Sequence, residues 1–273
     1  AYSKDNYIDA LTSYKYVLSK SRNIHTEISL VKASYILYKD KNHEEALPLY
    51  TRLQDVAEST QNKLTAKLGA MRCAYLTKSY DVCIDECNKV LNTDKITAQQ
   101  IAEAHQLKAK SLYETNRRDE AINDFQYLVK NSKNESGAEA YYYLALIHFQ
   151  KKELKETEKT INTLIAYNYS TNDWNTKALL LMSDVYVEKN EINNAEIILK
   201  SVTENADKQE YIDLANQKLQ EINDKQQAAK EVEQKQQEQM KIEFQNKGND
   251  VQLDEKAPIE KIDSVKTNVI QPK

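Results

Sequence analysis

The sequence predicts an all-α solenoid of stacked antiparallel helix pairs. Three observations carry this. One side-chain pattern returns every 36–38 residues along most of the chain. Only three glycines and three prolines occur in 273 residues, too few for the tight turns of hairpin or phosphate-loop folds. The rest is rich in helix formers yet 29% charged, with a mean hydropathy of -0.76. A solenoid tolerates that polarity because each helix exposes one face.

The repeated pattern is a triple with steps of four and three residues, which places its members on one helix face. It is clearest as Ala121, Phe125 and Leu128, after a polar turn at Asn116. The same triple appears as Ala10, Tyr14, Val17; as Ala46, Tyr50, Leu53; and as Cys83, Cys87, Val90. Later copies are Thr157, Ile161, Leu164 and Ala195, Leu199, Val202. From the second copy onward, a preceding helix contributes Ser34, Met71, Ala109, Ala145 and Ser183 at a constant offset from the first member. Most of these are small, and two helices cross closely where small residues face each other.

With Asp-Glu-Ala-Ile and Glu-Glu-Ala-Leu opening two of the second helices, these small-small pairs resemble the tetratricopeptide repeat (TPR) family. The resemblance covers residues 1–206 and implies a right-handed superhelical, TPR-like array with its ligand-facing surface lined by first helices. The sequence departs from the family in three ways. The period exceeds the usual ~34 residues. The proline that commonly closes a repeat is missing. The glycine of the intra-pair turn is replaced by Asp5, Lys41, Lys78, Asn116, Lys152 and Asn190.

The expected organisation follows. Residues 1–25 hold a partial repeat, the second helix only, whose apolar Tyr7, Leu11, Tyr14 and Leu18 call for cover by upstream repeats of the same protein. Residues 26–206 hold five helix pairs. Residues 207–245 form a C-terminal helix whose stripe of Tyr211, Ala215, Leu219 and Ile222 caps the last pair before it turns polar. Residues 246–273, with Gly248, Pro258 and Pro272, read as a disordered tail.

The net charge of -4, with both signs mixed along the chain, excludes a sequence-wide attraction to nucleic acid. No run approaches the ~18 apolar residues of a membrane span. Cys83 and Cys87 occupy core positions of a triple, and no histidine accompanies them in that repeat, so packing is expected rather than a zinc site. His25, His43, His105 and His148 show no metal-ligand spacing, and His105 and His148 read as core histidines with hydrogen-bond partners. No phosphate loop, nucleophile elbow or HExxH motif is present. No cofactor, metal or catalytic residue is expected.

The candidate site is therefore a protein-binding surface. One first-helix position, just before the turn, holds Tyr2, Tyr38, Tyr75, Tyr113, Phe149 and Val187, and Arg72 and Lys110 lie three residues earlier in their helices. Aromatic side chains give rigid contact area at low entropic cost. The predicted protein-binding residues are Tyr38, Tyr75, Tyr113, Phe149, Arg72 and Lys110; the competing reading makes the row a packing element. The Lys–Asn clamp with which some family members hold a peptide's terminal carboxylate is not matched, since Val31 with Tyr35 and Leu68 with Arg72 stand there. The expectation is a non-catalytic interaction scaffold for a protein or peptide ligand. The long period and the Asn-, Lys- and Tyr-rich composition resemble large TPR proteins of bacterial envelopes. An accessory subunit at the periplasm or outer membrane is thus expected, with a cytoplasmic location as the alternative. Two other readings are a reversible peptide-binding regulator and a helical regulatory arm of an enzyme.

Overall fold

A computed structural model describes residues 4–167 and 171–251. It holds two compact units, 1–216 and 217–273. Among the described residues there are twelve helices and no strand. The first unit carries the array. Its second helices are α1 (Lys4–Leu18), α3 (His43–Val56), α5 (Tyr80–Leu91), α7 (Arg118–Asn131), α9 (Leu154–Ile165) and α11 (Ile192–Asn205). Its first helices are α2 (Thr26–Lys39), α4 (Thr60–Leu76), α6 (Ala98–Glu114), α8 (Glu135–Gln150) and α10 (Asn172–Glu188). From α1 to α11 consecutive helices pack on one another, and successive first helices also touch, as in α2 with α4, α4 with α6 and α8 with α10.

The crossing positions behave as the spacing requires. Ser34, Met71, Ala109, Ala145 and Ser183 are all buried, as are their partners Ala46, Cys83, Ala121, Thr157 and Ala195. Where a crossing residue is large, its neighbour has shrunk. The ring of Tyr50 lies 2.4 Å from where a Cβ on Gly69 would stand, so only glycine fits there. Burial of that phenol pushes its pKa up to about 12.

The turns explain how the array does without glycine. Lys41, Lys78, Asn116, Lys152 and Asn190 sit in the left-handed region with φ between 56° and 63°. Each closes the preceding helix with a pair of bonds back to it. In the first such turn, Asn42 N–H donates to the Leu37 carbonyl at 2.9 Å and Lys41 N–H to that of Tyr38 at 3.1 Å. These paired bonds satisfy carbonyls that would otherwise be orphaned, which is the role glycine usually makes easy. Helix starts are capped locally: Asn42 and Glu45 bond reciprocally, and Thr97 and Gln100 form a capping box.

Helix α12 runs from Gln209 to Val251. Its first turns belong to the array unit, where Tyr211 and Ala215 are buried and the Tyr211 hydroxyl donates to Asp173 at 2.7 Å. The helix continues through Asn246 to Val251. A lone Gly248 costs only about 1 kcal/mol in a helix, too little to end a long run of Gln, Glu and Lys. Pairs such as Gln217 with Glu221 and Gln227 with Glu231 support that run along its exposed face. Residues 252–273, and Tyr2 of the aromatic position, lie outside the described residues. No described helix is long and apolar enough to cross a membrane.

Candidate functional site

The first helices carry a polar ladder across their inner neighbours. Arg72 on α4 grips Glu103 on α6 through Nε and Nη2, both at 2.6 Å. One repeat on, Lys110 on α6 reaches Glu139 on α8 at 2.7 Å, and Gln106 donates to the same carboxylate. The bond from Glu103 raises the Arg72 pKa above its usual value. For Lys110, burial works against the charge, but Glu139 outweighs it and the net shift is upward. Both cations are therefore held by neighbouring repeats.

The aromatic position is half-buried in every described repeat. Each member leans on the first turn of its own second helix. Tyr38 meets His43 at 5.1 Å between ring centroids, and Tyr75 meets Tyr80 at 6.2 Å. The guanidinium carbon of Arg118 lies 5.4 Å from the Tyr113 ring, and Phe149 and Leu154 pack against the same core cluster. Neighbouring repeats add links: Lys110 sits 5.6 Å over Tyr75, and Gln150 donates to the Tyr113 hydroxyl at 2.7 Å. Of the residues predicted from sequence, Tyr38, Tyr75, Tyr113 and Phe149 thus each lean on the helix start that follows their turn, while Arg72 and Lys110 reach the next first helix.

The rings continue in a direction the sequence reading missed. From Tyr113 the contacts run to Tyr143 (5.1 Å), then Tyr142 (5.8 Å), then Trp174 on α10 (5.6 Å). Tyr143 also stacks on buried Phe125 at 5.0 Å, and burial takes its hydroxyl pKa to about 12. The signal in the sequence was the Tyr141-Tyr142-Tyr143 run and the lone Trp174 on successive first helices. The first-turn residues His43, Tyr80 and Arg118 were also missed, although they recur at one offset from the triples.

The chemical inventory beyond this face is modest. Cys73, Cys83 and Cys87 are free and buried, with the Cys83 and Cys87 sulfurs 3.8 Å apart. His105 bonds Asp124 at 2.6 Å and stacks on Tyr127, and His148 bonds Glu153 at 2.6 Å. Among the described residues no cluster of His, Cys, Asp and Glu could hold a metal ion.

Residues 107–170 match the family model described as tetratricopeptide repeat. The search of curated proteins gave no match. Solved structures share the fold at low identity. One is YrrB, described as a TPR protein with an unusual peptide-binding site: 16% identity, 76% of this chain, 97% of that chain and a TM-score of 0.56. The apo form of RapI gives 15% identity over 74% of this chain and 61% of its own, with a TM-score of 0.60. MamA from Desulfovibrio magneticus RS-1 gives 15% identity, 72% and 94% coverage, and a TM-score of 0.52. Residues 107–170 thus match a tetratricopeptide repeat by sequence, and most of the chain shares the fold of these TPR structures.

Proposed function

We propose that the chain is a non-catalytic scaffold that holds a polypeptide partner along the first-helix face, centred on Tyr38, Tyr75, Tyr113 and Phe149. The observation that carries this is the series of half-buried rings on α2, α4, α6 and α8, extended by Tyr142 and Trp174. Half-buried aromatics keep area for a partner and are already ordered, so a partner loses little freedom of theirs on binding. Arg72 and Lys110 take the role of holding neighbouring first helices in register, with their outer edges adding polar contacts. The peptide-binding site named for YrrB supports the reading at the level of the fold.

The test is a double substitution, Tyr75→Ala with Tyr113→Ala, measured against a partner captured from the native host. Loss of an aromatic anchor can cost ~2 kcal/mol or more of binding. Affinity should fall at least thirtyfold while the array stays folded by circular dichroism. A variant that loses stability but binds its partner unchanged makes the row purely structural. The finer reading, an accessory subunit of a bacterial envelope complex, rests on the long period and the composition. Fractionation of native cells tests it, and a protein found wholly in the cytosol ends it.

A further inference from the structure

We infer that Arg118, at the start of α7, is an anion-recognition point of this face and takes an aspartate or glutamate side chain of the bound polypeptide. The inference rests on the scaffold reading above and adds the chemistry of one contact. Most half-buried cations of the array have an acceptor. Arg72 is held by Glu103, Lys110 by Glu139, Lys108 by Asp124 at 3.5 Å, and Lys177 by Asp173 at 3.2 Å. Arg52 donates to the Leu18 carbonyl and Lys67 to Thr93. Arg118 differs. It forms no ion pair among the described residues, and its buried Nε has no hydrogen-bond partner.

A buried guanidinium N–H without an acceptor is costly, because the group has left water and gained nothing in exchange. The acids that follow it in the first turn of α7 are already engaged. Asp119 pairs with Lys151, while Glu120 and Asp81 go to the adjacent Arg117 at 2.7 and 3.8 Å. Arg118 also stands in the first turn of α7, where the helix dipole adds to its positive potential instead of offsetting it. Its guanidinium lies beside the Tyr113 ring, in the middle of the aromatic face. A carboxylate from a partner would meet the terminal N–H donors of the guanidinium beside an aromatic surface, which favours an acidic residue next to an apolar one. The equivalent position holds His43 in an earlier repeat, and its buried Nδ1 also lacks a partner. The contact is thus part of a line of first-turn residues rather than an isolated surface arginine.

The experiment is selection of a random 12-residue peptide display library on the full chain and on its Arg118→Gln and Arg118→Lys variants. The wild-type pool should enrich Asp or Glu beside an apolar residue. Arg118→Gln should keep the apolar preference and lose the acidic one, and Arg118→Lys should keep part of both. The best acidic peptide should bind Arg118→Gln about tenfold or more weakly, whereas its Gln-substituted copy binds both proteins alike, given the strength of charged hydrogen bonds. The thermal midpoint of Arg118→Gln should fall only slightly, since no ion pair is lost and only the ring contact with Tyr113 goes. Apolar peptides selected without acid preference, or an acid preference that survives Arg118→Gln, overturns the role of Arg118 and leaves the scaffold reading standing. A wild-type chain that selects no peptide sinks both.

Discussion

Helices α1 and α7 present the same triple in the same order, yet they are buried unequally. Ala121, Phe125 and Leu128 of α7 are fully enclosed. Ala10, Tyr14 and Val17 of α1 are only half-buried, and Tyr7, Ile8 and Tyr16 around them stand 42%, 59% and 66% exposed. The cause is the number of first helices in contact. Helix α7 lies between α6 and α8, whereas α1 packs on α2 and has no preceding first helix among the described residues. Between α1 and α2 runs a groove of about 320 Å³ lined by Tyr7, Ile8, Leu11, Tyr35 and Ile36. An identical local pattern therefore has two energetic values, set by its neighbours along the stack.

The largest expected effect breaks the comparison at its core. Phe125→Ala should destabilise the central repeats by about 3–5 kcal/mol, the usual cost of emptying a large aromatic site. Tyr14→Ala, at the matching position of α1, should cost clearly less, about 1–2 kcal/mol, because part of its area already faces water. Urea unfolding with amide exchange read separately for α6–α7 and for α1–α2 measures both. Equal losses would show that α1 is as fully supported as the central helices.

How much of this was visible in the sequence depends on how local the cause was. The triples and crossing residues were legible because a helix face is set by spacing alone. The turn positions Lys41, Lys78, Asn116, Lys152 and Asn190 were legible only as departures from a glycine pattern; the left-handed backbone they adopt is a property of the structure. Arg72 with Glu103 was not legible, because its partners sit in different repeats and meet only through the stagger between first helices. The orphaned Nε of Arg118 was hidden for a related reason. Sequence shows Asp119 and Glu120 beside it, and only the fold sends them to Lys151 and Arg117.

A middle-sized effect sharpens the comparison through ion pairs. The Arg72–Glu103 pair is bidentate and about one-third exposed, whereas Lys15–Glu45, between α1 and α3, is about half exposed. Glu103→Gln should cost about 1–2 kcal/mol, between the values for open and enclosed pairs, and should respond weakly to salt. Lys15→Ala should cost under about 0.5 kcal/mol, and less still at high salt. Thermal midpoints at low and high ionic strength decide it. A larger loss for Lys15→Ala would mean that the end of the array is held electrostatically, against the burial argument.

The smallest effect serves as the control. Lys78 lies between central helices and Lys41 lies one repeat from α1, but both sit at the same turn with φ of 56° and 61°. A lysine there bears the left-handed strain of a side chain, about 1–2 kcal/mol, which glycine removes. Glycine also widens the unfolded ensemble, which takes back part of the gain. Both lysines are exposed, so little contact is lost on substitution. Lys152, at the same turn of a later repeat, is unsuitable because it pairs with Glu188 at 2.8 Å. Lys78→Gly and Lys41→Gly should therefore each stabilise their own repeat by about 0.5–1 kcal/mol. Turn strain is local and does not depend on how many helices cover the repeat, so the two gains should agree within error. Amide exchange read repeat by repeat provides the measurement. If Lys41→Gly gave clearly less than Lys78→Gly, the repeats nearest α1 would differ from the centre in backbone geometry as well as in burial, and the contrast between α1 and α7 could no longer be assigned to covering helices alone.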